Sequence, residues 1–395
     1  MRSVVTLCTN PKVLLSLGLA FLVCACVPSM SPHSSPRSGG AEQTTATLPP
    51  IDIVPPAKFT KGAPEYTMQF HTTASNNFAH RMARLRMISH PEPVDGASPK
   101  AYHMIPAGMQ MGNYLPLLPP VRGSGEHKGG ERPTIKHYWG CDDTIRKGQP
   151  RVQGGGTVSD PGKSGTYAAS SALKPGWVEV EWPNRDDSRT VPNTASLVGE
   201  HFVHGNFLPH IRFSMDSKHD FMEALSVKAE STSLKDAIPI SWNKLPGALG
   251  YHVHAVAFNT ARKEMTTWSS SEKGDRHHVG YFLPTPQVKK YINEKVILPA
   301  DRDRCVIPKG IFSEGDNVAI TVTAWGDDYW ASQPARPAGA PQNWKPDWAV
   351  KGQFLSTGHL MLGQSGGAHS SSGAQPAHQG GATAPSRPGL FGMPF

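Results

Sequence analysis

Charged residues are scarce in this sequence, and they do not gather anywhere. Asp, Glu, Lys and Arg make up 18% of the 395 residues, whereas about a quarter is usual in globular proteins. The net charge is +8, yet the basic residues form no run of five or six. A nucleic-acid-binding protein needs a concentrated basic stripe or patch. We therefore expect a mildly basic, solvated surface and no nucleic-acid partner.

Apolar runs long enough to span a membrane are also missing near the N-terminus. The apolar stretch there runs from Val13 to Val23 and contains one Ser and one Gly. A helix of this length covers about 16 Å, whereas the hydrocarbon core of a bilayer is about 30 Å thick. A short apolar segment that follows a basic start, here Arg2 and Lys12, is typical of a secretory signal peptide. Residues 1–25 are therefore predicted to be a signal peptide.

Cysteine is sparse too, with five residues and no Cys-x-x-Cys pair. This spacing argues against a structural zinc site. Cys8, Cys24 and Cys26 lie at the N-terminus, which leaves Cys141 and Cys305 in the body of the chain. In an oxidising compartment these two could form a disulfide or remain buried thiols. The sequence leaves both alternatives open.

The end of the apolar stretch reads Val23-Cys24-Ala25-Cys26 and resembles the lipobox of bacterial lipoproteins. The resemblance implies that Cys26 is the acylated N-terminus of the mature protein. Cys24 is the alternative, and so is an ordinary signal peptide with a chance cysteine. Because Val27 follows rather than Asp, the resemblance also implies sorting to the outer membrane. Several acyl chains on one cysteine give stable anchoring to the membrane.

Two segments are too polar and too rich in turn-forming residues to bury a core. Residues 26–63 are rich in Pro, Ser, Thr and Gly, and residues 364–395 are mostly Gly, Ser, Ala, His and Pro. Such compositions favour disorder. We expect the first segment to be a flexible linker from the lipid anchor and the second to be a disordered tail.

Residues 64–220 are predicted to form a β-rich domain with long loops. Apolar and polar residues alternate there with a period of two, which is typical of half-buried strands. The predicted strands include residues 66–70, 83–87, 135–139, 177–182 and 210–215. Between them, residues 91–120 and 148–165 are rich in turn formers and are predicted to be loops.

Residues 221–363 are predicted to form a second all-β domain. Ile238–Trp242 and the stretch from Tyr251 predict two strands joined by a Pro-Gly turn, in a hairpin-like unit. The order Trp242, Pro246, Gly247, Gly250, Tyr251 resembles the second and third strands of a fibronectin type III module. The spacing of Phe312, Glu314, Gly315, Val318, Ile320, Val322 and Ala324 resembles its sixth strand. The resemblance implies a fibronectin type III or immunoglobulin-like β-sandwich.

The same domain shows where its core should lie. Tyr251, Val253, Ala255 and Ala257 share one strand face, and Val318, Ile320, Val322 and Ala324 share another. We expect these two faces to pack against each other as opposite layers of a sandwich. Residues 284–294 interrupt the strands and predict a short helix with proline in its first turn.

Three histidines are the best candidates for a metal site. His201 and His204 are three residues apart and could share a helix face, with His210 nearby; imidazole suits zinc or copper. The alternative is that three histidines fall here by chance. The sequence gives no catalytic residues and predicts no cofactor. The letters Gly-x-Ser-x-Gly at 363–367 open the low-complexity tail rather than a strand-turn-helix, so they are not a nucleophile elbow.

Aromatic residues crowd one loop region of the second domain. Exposed Trp and Tyr side chains anchor interfaces and stack on sugars; alternatively, they cover one end of the sandwich. The candidates are Trp325, Tyr329, Trp330 and Trp344.

Together these features resemble the outer-membrane lipoproteins of Gram-negative bacteria. We expect a non-catalytic lipoprotein, facing the periplasm or the surface, that binds another envelope component, either a protein or a polysaccharide. Two alternatives remain. One is an envelope hydrolase of sugar polymers, and the other is a metal-binding lipoprotein that uses His201, His204 and His210.

Overall fold

The chain folds almost entirely into β-strands, as its alternating patterns predict. The computed structural model describes residues 63–363 apart from 76–77, 91–96, 122–130, 155, 158–172, 174, 260–261, 275–278 and 342–343. The predicted signal peptide, the linker up to residue 62, Cys26 and the tail at 364–395 lie outside the described residues. The part of the chain that is described contains a single α-helix, and the all-β prediction is confirmed.

The strands have the following bounds in chain order: β1 Glu65–Ser75, β2 Phe78–Ser89, β3 Ala101–Met104, β4 Tyr114–Leu117, β5 Glu131–Arg132, β6 Thr134–Trp139, β7 Arg151–Gln153, β8 Gly156–Thr157, β9 Val178–Trp182, β10 Gly199–Gly205, β11 Leu208–Met215, β12 Val227–Ala229, β13 Ile238–Trp242, β14 Gly250–Asn259, β15 Glu264–Ser269, β16 Leu298–Pro299, β17 Arg304–Ile307, β18 Val318–Trp325, β19 Tyr329–Gln333 and β20 Trp348–Leu362. The helix α1 spans Thr285–Asn293.

One large sheet forms the backbone of the fold. Its strand order is β7-β6-β15-β14-β18-β20-β1-β2-β9, with β16 paired to β14 and β19 to β20. Two smaller sheets have the orders β11-β10-β3-β4 and β12-β13-β17, and β5 pairs with β8. Buried side chains from the large sheet and from both of these smaller sheets belong to one hydrophobic core.

The two predicted domains share this large sheet. β1 runs parallel to β20 along its whole length, from Glu65 opposite Ala349 to Ser75 opposite His359. Strands from residues 64–220 therefore extend the sheet of residues 221–363, and all described residues belong to one compact unit. A division at residue 220 does not match this arrangement. Local periodicity does not show which strands pair when they are far apart in sequence. The sequence therefore predicted two domains where the structure has one shared sheet.

The C-terminal sandwich exists, but its layers differ from the prediction. β14 and β18 are hydrogen-bonded neighbours in one sheet, so their apolar faces lie side by side rather than opposite each other. Both faces are buried, and they belong to the same hydrophobic core as the buried side chains of the second layer, β12-β13-β17. β13 and β14 are likewise not a hairpin, since β13 pairs with β12 and β17. The Pro-Gly turn carries the chain from one layer to the other.

The predicted helix is confirmed. α1 covers Thr285–Asn293, with Pro286 in the first turn, close to the predicted 284–294. Two aspartates hold its first residue, because Thr285 donates its backbone N–H to Asp328 and its hydroxyl to Asp327. Val288 and Ile297 then bury Trp325 and Leu355 on the outer face of the large sheet.

Sequence periodicity located some strands and missed others. The five strands predicted in residues 64–220 correspond to β1, β2, β6, β9 and β11. The loop predicted at 91–120, however, contains β3 and β4. Each of these strands has four residues, and β4 includes Pro116, so neither reaches the length at which alternation becomes visible.

Of the two alternatives for the cysteines, the structure contains the disulfide. Cys141 follows β6 of the large sheet, Cys305 lies in β17 of the small sheet, and their sulfurs are bonded. The bond therefore ties the two layers of the C-terminal sandwich together.

Replacing Trp242 by Ala should lower the free energy of unfolding by about 3 to 5 kcal/mol. The side chain is 5% exposed and its ring packs 5.6 Å from Tyr251, so its removal leaves a cavity between the layers. Chemical denaturation gives the measurement. Trp330→Ala is the matched control, because Trp330 is 63% exposed and its loss should change stability by no more than about 0.5 kcal/mol. Equal stabilities of the two variants would contradict this account.

Removing the disulfide by the double substitution Cys141→Ala and Cys305→Ala should cost about 2 to 5 kcal/mol, since a cross-link over 164 residues restricts the unfolded chain. Thermal unfolding with and without reductant measures the effect. The reductant should lower the melting temperature of the unaltered protein and leave that of the double variant unchanged. If the unaltered protein is insensitive to reductant, the prediction is wrong.

Candidate functional site

The three candidate metal ligands are not brought together. His201 and His204 lie in β10, which is a strand rather than a helix, so residues three apart point to opposite faces. His201 is 1% exposed and faces the core, whereas His204 and His210 lie on the outer face. Among the described residues, no three His, Cys, Asp or Glu side chains are placed to hold a metal ion. The predicted three-histidine site is therefore not assembled.

On the inner side, His201 belongs to a hydrogen-bonded chain that crosses the core. Nε2 of His201 donates to the carbonyl of Leu197 at 2.7 Å, so its Nδ1 is the acceptor. Nε2 of His103 donates to that Nδ1 at 2.9 Å, and the hydroxyl of Tyr66 donates to Nδ1 of His103 at 2.8 Å. The chain joins β1 of the large sheet to β3 and β10, and we call it the Tyr66–His103–His201 chain.

Burial keeps this chain uncharged. It lowers the pKa of His103 well below the ordinary value, with a smaller contribution from neighbouring His201. It also lowers the pKa of His201 and raises the pKa of Tyr66. Buried polar side chains are normally hydrogen-bonded. This chain meets that requirement, because its three groups are neutral and each acceptor in it has a donor. The chain is a structural link between layers.

On the outer side, the sheet β11-β10-β3-β4 presents two rows of side chains that run across the strands. Strand register aligns Arg212, Phe202, Met104 and Tyr114 in one row. His204, Tyr102 and Pro116 form the second row, and His210 extends it from β11. We call these eight residues the aromatic face. Four strands at the usual spacing make it about 14 Å wide.

The rings of the aromatic face contact one another in a continuous series. The guanidinium of Arg212 lies 4.0 Å from the ring centre of Phe202, and Phe202 stacks on His204 at 5.3 Å. His204 contacts Tyr102 at 5.8 Å, and Tyr102 meets Tyr114 edge to face at 5.4 Å. Each ring is thus in contact with its neighbours and is placed by a strand.

His204 is the unusual member of the series. It is 7% exposed, yet its Nε2 has no hydrogen-bond partner among the described residues. Burial lowers its pKa, and neighbouring His210 lowers it further, so the ring is neutral at physiological pH. A buried polar atom without a partner costs about 1 to 3 kcal/mol. The aromatic face therefore holds an unmet hydrogen-bonding group beside its half-exposed rings.

A groove of about 480 Å³ opens at the β4 end of the aromatic face. Tyr114 and Pro116 belong both to the face and to the groove, and the opposite wall is polar. The full lining is Asn113, Tyr114, Pro116, Asp186, Asp187 and Arg189. The groove is shallow and open to solvent, so a ligand would lie along it rather than inside it.

Arg189 holds the walls of the groove together. Its guanidinium contacts the carboxylate of Asp187 with Nη2 at 2.6 Å and Nε at 2.9 Å. It also donates to the carbonyls of Met111 and Tyr114. Burial raises the pKa of Asp187, but the hydrogen bonds and the positive charge of Arg189 outweigh it and leave that pKa below its ordinary value. The wall and the floor are thus fixed relative to each other.

The aromatic residues that the sequence singled out are mostly structural. Trp325 is 2% exposed and donates its Nε1–H to the carbonyl of Tyr281. Tyr329 donates its hydroxyl to Ser214 at 2.8 Å. Trp344 lies under the guanidinium of Arg336, and Trp330, although exposed, has Lys351 over its ring. These residues contact different partners, whereas Tyr102, Tyr114 and Phe202, which the sequence did not single out, form one series of ring contacts with His204.

No protein-family model matches this sequence, and neither does any curated protein. In the described part of the chain, no helix is long and apolar enough to cross a membrane. The case for a function therefore depends on the residues and their geometry.

Lowering the pH from about 7.5 to about 5 should reduce the free energy of unfolding by up to about 2 kcal/mol for each buried neutral histidine. The folded-state pKa values of His103 and His201 are lowered, and that of His71 falls to about 4. The unfolded chain therefore binds more protons than the folded chain below pH 6.5. Stability is fully present above that value and is lost as the pH falls. Denaturation curves across this range measure the slope.

Two glutamine variants test whether the buried histidines cause this pH dependence of stability. His103→Gln should flatten the pH dependence, because it removes one buried titrating group, although it also lowers the stability at neutral pH. His80→Gln, at an exposed position in β2, should leave the pH dependence as it is. A slope that responds to His80 rather than to His103 would refute the assignment.

Proposed function

We propose that the protein is a non-catalytic, lipid-anchored lipoprotein of the cell envelope that acts as a binding module. The observation that carries the proposal is the aromatic face: half-exposed rings that contact one another across neighbouring strands, next to an open groove. Aromatic side chains offer large contact area at a small entropic cost, which is why they dominate binding surfaces. The remaining strands serve to hold this face in place.

The sandwich formed by β12 to β20 supports a fibronectin type III-like assignment for the C-terminal half. Three strands, β12, β13 and β17, form one layer, and four longer strands, β14, β15, β18 and β20, belong to the other. Seven strands divided between two antiparallel layers are the architecture that fibronectin type III and immunoglobulin domains share. Modules of this kind carry binding surfaces on many extracellular proteins.

The proposed location in the cell envelope rests on the N-terminal sequence and on the disulfide. The lipobox-like ending at Cys26 supports acylation there and sorting to the outer membrane. The bond between Cys141 and Cys305 is consistent with an oxidising compartment such as the periplasm. Both features agree with a protein that is exported, attached to lipid and exposed to other envelope components.

Fatty-acid labelling of the intact protein and of Cys26→Ser tests the anchor. The intact chain should incorporate label and sediment with membranes, and Cys26→Ser should lose the label and become soluble. Cys24→Ser is the control, because it leaves the proposed acylation site in place and should keep the label. Loss of label with Cys24→Ser alone would move the anchor to Cys24. Label in neither protein would refute lipidation.

Retention of envelope material tests the binding role. Intact protein from detergent-solubilised envelope should carry a co-purifying envelope component, and Phe202→Ser with Tyr102→Ser should release it. Trp330→Ser is the matched control, since it removes an exposed ring away from the aromatic face. A component released equally by both changes would refute the role of the face, and no component at all would refute the binding function.

A further inference from the structure

We infer that the groove lined by Tyr114, Pro116, Asn113 and Asp186 binds an uncharged sugar chain. The inference rests on the proposed binding function and specifies the ligand class. Four properties of the groove support it: an apolar floor, hydrogen-bonding groups at the rim, arginines that are already paired with carboxylates and a strand edge that cannot accept a peptide.

The floor suits the apolar face of a sugar ring. Tyr114 is the last ring in the series that begins at Arg212, and Pro116 lies next to Tyr102 in the second row. Both side chains are half-exposed, so a flat ligand can cover them. Aromatic rings with an apolar body and a polar tip favour ligands that are apolar on one face and polar at the edge.

The rim of the groove supplies hydrogen-bond donors and acceptors for the hydroxyl groups of a sugar. The amide of Asn113 offers two donors and an acceptor, and the carboxylate of Asp186 accepts only. Both side chains are exposed, and Asp186 contacts only the guanidinium of Arg185 at 3.1 Å among its ion pairs. A sugar hydroxyl can donate to a carboxylate and accept from an amide at the same time. A purely apolar ligand would leave these groups unused.

The charges at the groove do not favour anionic ligands. Asp186 pairs with Arg185 and Asp187 pairs with Arg189, which also donates to the carbonyls of Met111 and Tyr114. A phosphate, sulfate or carboxylate group would meet two carboxylates here and no guanidinium without a carboxylate partner. The basic residues of the aromatic face, Arg212 and His210, lie three strand spacings away, at about 14 Å.

The edge of β4 cannot recruit a peptide strand. Addition of a strand requires free backbone groups along the edge. The carbonyl of Tyr114 already accepts from Arg189, and that of Pro116 accepts from the amide of Asn184 at 2.8 Å. Pro116 has no N–H, and Leu118 pairs in both directions with Glu181. Recognition must therefore come from rings and side chains, as it does for sugars.

The test measures retention of the full-length, detergent-solubilised protein on insoluble neutral glycans, namely cellulose, chitin and cross-linked amylose. Sulfated dextran beads serve as an anionic comparison. We expect retention on at least one neutral glycan and none on the sulfated beads. Tyr114→Ala should weaken retention about tenfold or more, and Asp186→Ala should weaken it several-fold. Trp330→Ala, which removes an exposed ring elsewhere, should retain the glycan as the unaltered protein does.

Each outcome bears on the inference. Because Asp186 is exposed, Asp186→Ala tests the groove even if Tyr114→Ala fails to fold, and melting temperatures identify that case. Retention that survives both groove substitutions, or that is lost with Trp330→Ala, would overturn it. So would preference for the sulfated beads. If no glycan is retained but an envelope protein still co-purifies through the aromatic face, the sugar assignment fails and the binding function stands. If neither is captured, both fail.

Discussion

The parallel pairing of β1 with β20 is the contact on which the rest of the architecture depends. It joins the first described strand to the last along eleven paired positions, from Glu65 to Ser75. β2 and β9 then extend the sheet beyond β1, so the N-terminal strands continue a sheet that the C-terminal sandwich begins. Such a pairing closes a very long loop, which has an entropic cost that grows slowly with length.

β1 also fixes the four-stranded sheet β11-β10-β3-β4 against the large sheet. Tyr66 in β1 donates to His103 in β3, which donates to His201 in β10. At the other end, Leu118 beyond β4 pairs with Glu181 in β9. The four-stranded sheet is thus attached to the large sheet through a buried polar chain on its inner face and through backbone hydrogen bonds at its edge. The position of the aromatic face follows from these two attachments.

Local pattern was sufficient for elements that are long or strongly periodic. The alternation at Tyr66, Met68 and Phe70 predicted β1, and the proline-initiated segment at 284–294 predicted α1. The core faces of β14 and β18 were also predicted, because alternation reports which side of a strand is buried. It does not report which strand lies next to which. For that reason the two faces were expected to be opposite layers, although they are adjacent in one sheet.

The candidate site was harder to predict for two physical reasons. Tyr102 and Tyr114 lie in four-residue strands within a segment rich in proline and glycine, where turn signals outweigh periodicity. Phe202, His204 and His210 come together only because β10 is a strand. A helix would have placed His201 beside His204, whereas a strand places Phe202 beside His204 and turns His201 into the core. The residue types were visible in the sequence, but the period that groups them was not.

Ring-to-ring contact alone does not require a ligand, because cross-strand pairs of this kind stabilise the solvent side of many sheets by about 0.2 to 1 kcal/mol each. Two features go beyond what sheet stability needs. His204 is buried in the series with an Nε2 that has no partner among the described residues, which costs stability rather than adding to it. Arg189 aligns the polar wall with the floor at Tyr114, because it donates both to Asp187 and to the carbonyl of Tyr114. Together, a tolerated cost in the ring series and a rigidly aligned groove at its end favour a surface arranged for recognition over one that is only packed.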